Sequence, residues 1–451
     1  MINTIIQNYH NLISDRKFSD ILSGSVWVLS AQVASAFFAM IIQIIIARFY
    51  GVETLGVVSI INSFIMLISI FTVLGTGTSI LRLIPEHIAN FSPTSAFRIY
   101  RKSLCIVILA SLFIAILLYL SSDIVARHVF NKPHLSAYLA LAAAFVIFKS
   151  LMVLNTQSTR GLKHIRIYAF LQAFPQGFNL LFLLVIGIFI KSSDLPVHSL
   201  LLSFFVTGIA SWIIVEYSFN IKIHPDDNIH PMPTREILFI SLPMFLAASM
   251  NYLVGQTGLF MLGVFRSESE VGYYTAAVKL ATLTSFVLTG INSMAAPKFS
   301  ELFFTNQVEE LFRVAKKSTK LIFWTTTPIL FLLILLGKKI IAILFGNDFI
   351  LAYWAMVLLV LGQFVHSISG STGIFMNMTG HQKIYRNIML LTSFLNIISN
   401  LALIPRFGLI GAAIAGMLSL IFWNMASLIF IKRKYGKTIG YFPFYHLRTS
   451  Y

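Results

Sequence analysis

Arg48–Phe49–Tyr50–Gly51–Val52–Glu53–Thr54–Leu55–Gly56 joins two long apolar runs, near 24–47 and 55–81. About twenty apolar residues are enough for a helix to cross a bilayer. A second stretch, Val264–Phe265–Arg266–Ser267–Glu268–Ser269–Glu270–Val271–Gly272, follows a later apolar run in the same manner. Phe49 and Phe265 are 216 residues apart, and so are Gly56 and Gly272. Two further landmarks recur in the same order. Arg160–Gly161–Leu162–Lys163 has its counterpart in Thr379–Gly380–His381–Gln382–Lys383, and Leu195–Pro196 in Ile404–Pro405. The chain reads as one helical unit written twice.

Composition agrees. Of the 451 residues, 57% are hydrophobic and 11% are charged, and the mean hydropathy is +0.84. Soluble domains have about 45–50% apolar and about 25% charged residues. A soluble enzyme, a disordered chain and a secreted disulfide scaffold are therefore excluded. Cys105 is the only cysteine, so no intrachain disulfide can form. The expected fold is an all-α polytopic membrane protein, since an open sheet cannot satisfy its backbone in lipid.

Twelve apolar segments are expected. They lie near 24–47, 55–81, 103–121, 136–158, 168–190 and 198–219, then near 237–265, 272–297, 318–337, 350–376, 387–404 and 409–431. The implied organisation is a cytoplasmic segment 1–23, a six-helix bundle 24–220, a linker 221–236, a second six-helix bundle 237–431 and a basic tail 432–451. Six spans per half make the repeat parallel, related by an axis along the membrane normal. With the N-terminus in the cytoplasm, inner segments hold 23 Lys and Arg and outer segments hold 8. That alternation follows the positive-inside rule and places both termini in the cytoplasm.

These residues carry a resemblance. The first span ends in Ala47–Arg48–Phe49–Tyr50–Gly51 and the second opens with Leu55–Gly56, carries Leu74–Gly75 and ends in Arg82. The second half echoes it with Gly272–Tyr273–Tyr274–Thr275–Ala276–Ala277, Pro297 and Gly380–His381–Gln382–Lys383. The chain resembles the Wzx-type polysaccharide flippases of the multidrug/oligosaccharidyl-lipid/polysaccharide exporter superfamily. The resemblance implies two six-helix bundles around a central cavity, alternating access and a bacterial cytoplasmic (inner) membrane. The implied cargo is an undecaprenyl-diphosphate-linked O-antigen, capsule or related polysaccharide repeat unit, moved to the outer leaflet. It also implies possible contact with polysaccharide polymerase and ligase proteins.

Candidate site residues follow from the cost of charge in lipid, about 2.5–3.5 kcal/mol at mid-membrane on insertion scales. Lys149 falls near the middle of the fourth span and Lys279 about two turns into the eighth. Both could meet a diphosphate, and both could instead be housed structurally, Lys279 by snorkelling along its stem. His366 lies at a depth in the tenth span similar to that of Lys149 in the fourth. It serves equally well as a cavity residue or as a neutral interhelical hydrogen-bonder. Glu216, the one carboxylate inside a span, is a candidate for ion coupling or an interfacial residue. Arg82 and Arg160, at inner span ends, would greet a diphosphate or anchor to lipid phosphate. Asn62, Asn251 and Gln256, with Gln32, Gln43 and Asn292, would line a sugar path or join helices.

No GxxxxGK[ST] or HExxH pattern occurs, so neither nucleotide hydrolysis nor zinc proteolysis is expected, and no cofactor is. His224, Asp226, Asp227 and His230 are read as ordinary polar-loop chemistry rather than a metal site. The charges within spans are mostly positive, which favours an anionic cargo; the resemblance implies that it is a lipid-linked glycan, with membrane lipid and no nucleic acid as partners. The rival readings are a multidrug/cation exporter and a membrane-embedded glycan-assembly enzyme. The first would want membrane carboxylates. The second would want paired carboxylates in an outer loop, and the longest such loop, near 122–135, holds only Asp123.

Overall fold

A computed structural model describes residues 16–190, 192–220 and 232–441. All regular structure among them is helical. The helices are α1 (Arg16–Phe49), α2 (Gly51–Val73), α3 (Thr76–Asn90), α4 (Pro93–Ile124), α5 (Leu135–Gly161), α6 (Ile165–Phe189) and α7 (Leu195–Asn220). They continue with α8 (Thr234–Phe265), α9 (Glu268–Ala281), α10 (Ser285–Phe304), α11 (Val308–Leu344), α12 (Tyr353–Ser369), α13 (Thr372–Met378) and α14 (Gln382–Tyr435).

Ten segments among the described residues are long and apolar enough to cross a membrane. Three of the twelve expected spans do not stand alone in that set. Segments 387–404 and 409–431 lie in the single 54-residue α14, interrupted at Gly408, whose φ of 54° leaves the helical region. The expected span 237–265 lies in α8, of which Tyr252–Phe265 forms a shorter apolar stretch.

Two expected spans are broken rather than continuous. The segment 55–81 divides at Leu74 (φ 50°) and Gly75 (φ 76°). A Cβ on Gly75 would collide with the Ser241 carbonyl, so only glycine fits where α8 crosses the break. The Ser79 and Ser241 hydroxyls are bonded beside it at 2.6 Å. The segment 272–297 passes through a 3₁₀ turn at Thr282–Thr284, which separates α9 from α10 shortly after Lys279. Elsewhere the ends follow capping chemistry. The Ser267 hydroxyl accepts from the Glu270 amide at the start of α9, with Glu268 and Glu270 in the first turn. Gly436 closes α14 in the left-handed conformation.

The chain forms two compact units. The first comprises the chain up to Ile42 with Ile68–Tyr119 and Leu141–Phe245. Its core gathers Ile80, Leu83, Ile99, Tyr100, Leu154 and Phe219. A polar chain crosses it, in which the Tyr100 hydroxyl donates to Asn155 Oδ1 at 3.0 Å and Asn155 Nδ2 donates to Ser211 Oγ at 3.2 Å. Such bonds hold helices together where apolar packing gains nothing against lipid.

The second unit comprises Gln43–Leu67, Leu120–Ala140 and Leu246–Tyr451. Here α2 and α9 meet reciprocally. A Cβ on Gly56 would strike the Glu268 carbonyl, and a Cβ on Gly272 would strike the Val52 carbonyl. Glu268 is 216 residues after Val52, as Gly272 is after Gly56. Next to this contact the Thr275 hydroxyl donates to Ser59 Oγ at 3.0 Å. Phe64 lies edge-on to Phe130 at 5.9 Å and stacks on Phe260 at 6.4 Å.

Two arginines and a lysine cap helix ends in this second unit. Arg48 Nε donates to the Leu344 carbonyl at 3.1 Å and Arg48 Nη2 to Ala342 at 3.1 Å, at the end of α11. Arg266 donates to Ile404 and Pro405 at 3.1 and 2.8 Å. Lys132, buried, donates to the Gly263 carbonyl at 2.6 Å and also to that of Arg266. The orphan carbonyls of α8 and α11 are thereby satisfied. Burial lowers the Lys132 pKa from its ordinary value, against the opposing pull of Glu268 and Glu270. Glu270 accepts from the Leu409 amide at 2.9 Å, beside the kink at Gly408.

Candidate functional site

Lys149 lies midway along α5. Its ammonium sits over the Phe204 ring, 4.7 Å from the centroid. The close approach of α7 explains this placement: a Cβ on Gly208 would meet the Phe148 carbonyl at 2.6 Å. One turn before Gly208, Phe204 thus comes under the lysine, while Phe148 and Phe205 pack edge-on at 4.7 Å. On the next position of α5, the Ser150 hydroxyl is bonded to that of Thr72 at 2.5 Å. Among the described residues Lys149 makes no ion pair and no hydrogen bond. An ammonium in such a place gains about 2 kcal/mol from a desolvated ring face.

Lys279 occupies the last turn of α9. A cation there is favoured by the partial negative charge of the helix end. Its ammonium likewise forms no ion pair among the described residues. Thr275, one turn earlier on α9, is bonded to Ser59. Asn62 follows Ser59 by one turn on α2, and its amide nitrogen faces Met66 Sδ at 4.0 Å. Asn62 and Lys279 therefore each follow the α2–α9 contact by one turn, both half-buried.

His366 on α12 packs edge-on to Trp423 of α14, with ring centroids 5.4 Å apart. Its Nδ1 is buried without a hydrogen-bond partner among the described residues. Gln256 is half-buried on α8, whereas the side chain of Asn251 lies outside the described ones. Lys149 belongs to the first compact unit; Lys279, His366, Asn62 and Gln256 belong to the second.

The remaining candidates have local partners. Glu216 accepts from Arg101 Nη2 at 2.9 Å and from Trp212 Nε1 at 3.2 Å. Arg82 pairs with Glu86 at 3.2 Å on the exposed side of α3. Arg160 lies over the Tyr168 ring at 5.3 Å. Phe204 and Arg101 escaped the sequence reading because Lys149 is 55 residues from the first and Glu216 is 115 from the second, on other helices, and no periodicity marks such pairs. The stretch with His224, Asp226, Asp227 and His230 lies outside the described residues.

In the turn before α14, His381 bonds with the Thr379 hydroxyl at 3.1 Å and packs on Phe430 and Tyr435. Burial, then the nearby Lys434, lowers its pKa from the usual histidine value.

Residues 45–354 match the family described as "Polysaccharide biosynthesis protein". Among curated relatives, the chain is 24% identical over 238 residues to the probable low-salt glycan biosynthesis flippase Agl15 of Haloferax volcanii. That match covers 52% of this chain and 49% of the relative, so it spans about half the relative's length. It is 22% identical over 368 residues to the capsular polysaccharide biosynthesis protein CapF of Staphylococcus aureus, covering 74% of this chain and 90% of that one. Among solved structures, the lipid II flippase MurJ in an inward closed conformation superimposes with a TM-score of 0.71 at 14% identity. The superposition covers 91% of this chain and 87% of that one, and it shows a shared fold.

Proposed function

The chain belongs to the polysaccharide biosynthesis protein family, and from that premise we propose that it is a flippase for a lipid-linked glycan, a transporter and not an enzyme. It moves an undecaprenyl-diphosphate-linked repeat unit, of the O-antigen or capsule type, from the inner to the outer leaflet of a bacterial cytoplasmic membrane. Dividing α14 at Gly408 and counting α8 as a span gives twelve crossings, with both termini cytoplasmic and two parallel halves. The contacts of Gly56, Gly272, Ser59 and Thr275 support the two-fold reading.

The observation that carries the proposal is Lys149: a mid-helix cation with an aromatic ring as its neighbour and, among the described residues, no carboxylate paired with it. A diphosphate is the complementary charge, and an ammonium binds phosphate as a point charge. Lys279, His366, Asn62, Asn251 and Gln256 are assigned to the same cargo path, with Arg82 and Arg160 at its loading end. Glu216 is held as the candidate ion-coupling carboxylate. A cationic drug would be repelled by Lys149, which disfavours the exporter reading.

The test is to extract lipid-linked glycans from the native host with and without this protein. The expected result is a cytoplasmic-side build-up of a polyprenyl-diphosphate oligosaccharide together with loss of a surface polymer. Unchanged pools and polymers would refute the proposal.

A further inference from the structure

Within the first compact unit, α1 and α6 enclose a groove of about 1010 Å³. Its walls are made by what the helices lack. Ala31 and Ala34 line it from α1; Ala173 and Gly177 line it from α6. A Cβ on Gly177 would only just touch Phe38, at 3.8 Å, so the helices stand apart there. The rim on α6 is a phenyl ladder at four-residue spacing, with Phe174 to Phe178 at 5.3 Å and Phe178 to Phe182 at 5.9 Å.

One end of the groove is charged. Arg166, in the first turn of α6, lies over the Trp27 ring at 5.7 Å, is exposed, and pairs with no carboxylate among the described residues. Arg160 lies in the last turn of α5 and Lys163 in the connection just before α6. The lining is otherwise almost wholly carbon.

Length decides the occupant. From Arg166 to Leu181 the groove follows α6 for about 22 Å at 1.5 Å per residue. One leaflet of a hydrocarbon core about 30 Å thick spans about 15 Å. An acyl chain of a phospholipid ends near the midplane, and a phospholipid carries two such chains, whereas this is one trough. A single long isoprenoid chain with a phosphate head fits both its length and its charged end.

We infer that the α1–α6 groove is the seat of the polyisoprenyl chain of the lipid carrier, with Arg166 holding the phosphate at its mouth. This inference rests on the flippase reading and adds a location for the part of the cargo that never leaves the bilayer. The glycan crosses elsewhere while the tail runs along α6.

The test uses the full-length chain, purified in detergent with equimolar long-chain polyisoprenyl phosphate and phosphatidylglycerol. Lipid retention is read by native mass spectrometry. Wild type is expected to retain the polyisoprenyl phosphate in preference. Ala173→Phe and Ala34→Phe fill the groove from opposite walls, and Arg166→Gln removes the cation. Each is expected to cut that retention at least about tenfold while remaining monodisperse. Two filling variants guard against one that fails to fold. Equal retention of both lipids by wild type, no retention of either, or undiminished retention in a folded groove-filled variant overturns the inference. Glycan accumulation in the host is read separately. A host lacking the protein but with normal lipid-linked pools sinks the flippase, while a groove variant that flips and binds like wild type sinks only the groove.

Discussion

Ser59 and Thr275 share a hydrogen bond of 3.0 Å although 216 residues separate them. The same separation relates Gly56 to Gly272 and Val52 to Glu268, the residues of the reciprocal backbone contact beside it. Both members of each pair lie in the second compact unit, where α2 and α9 are held by backbone contact and by this bond.

Gly56→Ala and Gly272→Ala should each destabilise the protein by about 1–3 kcal/mol, because the added methyl forces two backbones apart. The two effects should be similar. Gly255→Ala, where nothing lies within 4 Å, should be neutral or slightly stabilising, since alanine favours helix. Thermal unfolding in detergent checks all three. A tolerated Gly56→Ala would show that the contact yields.

Lys149→Ala should lower flipping about tenfold or more, the loss expected when a charge-assisted contact worth about 1.5–3 kcal/mol is removed. Expression and insertion should be unchanged, and Lys149→Arg should retain part of the activity. Transport is followed by the lipid-linked pool in the host. A well-expressed alanine variant with normal transport would remove Lys149 from the cargo path.

Lys132→Met should cost about 1–3 kcal/mol, because the carbonyls of Gly263 and Arg266 lose a buried donor. The melting temperature reports it. No change would mean that water replaces the ammonium at those carbonyls.

His381 sets a pH dependence. Its pKa lies below the ordinary value of 6.5, so the unfolded chain takes up a proton at a higher pH than the folded one. Stability should therefore fall as pH drops below about 6.5. His381→Asn should flatten the melting temperature between pH 5 and pH 7, in the manner of a lost histidine titration. An unchanged slope would assign the dependence to another group.

Much of this architecture is legible in the sequence, and the parts that are not share a cause. The apolar runs and the 216-residue offset can be counted, because hydropathy and spacing are local properties. The break at Leu74–Gly75 cannot, since a leucine at positive φ leaves no mark in a run that reads as continuous; only the collision that α8 would make with a Cβ explains it. Glu216 reads as a lone carboxylate because its partner Arg101 is 115 residues away. Lys149 is the reverse case: the sequence supplies the isolated charge, and the aromatic face beneath it emerges only when α7 packs on α5. The phenyl ladder at 170, 174, 178 and 182 is visible as an i, i+4 pattern. What it borders becomes clear only once the small residues of α1 are set opposite.

The capping cations also change how the membrane faces compare. With the proposed topology, Arg48, Lys132 and Arg266 are three of the eight basic residues on the outer side. Their donors are committed to main-chain oxygens. The outer surface thus offers fewer free cationic donors than its residue count implies. Anionic headgroups in that leaflet find fewer donors to bind, although the three charges themselves persist. A negatively charged glycan arriving outside would find little there to hold it, which favours its release.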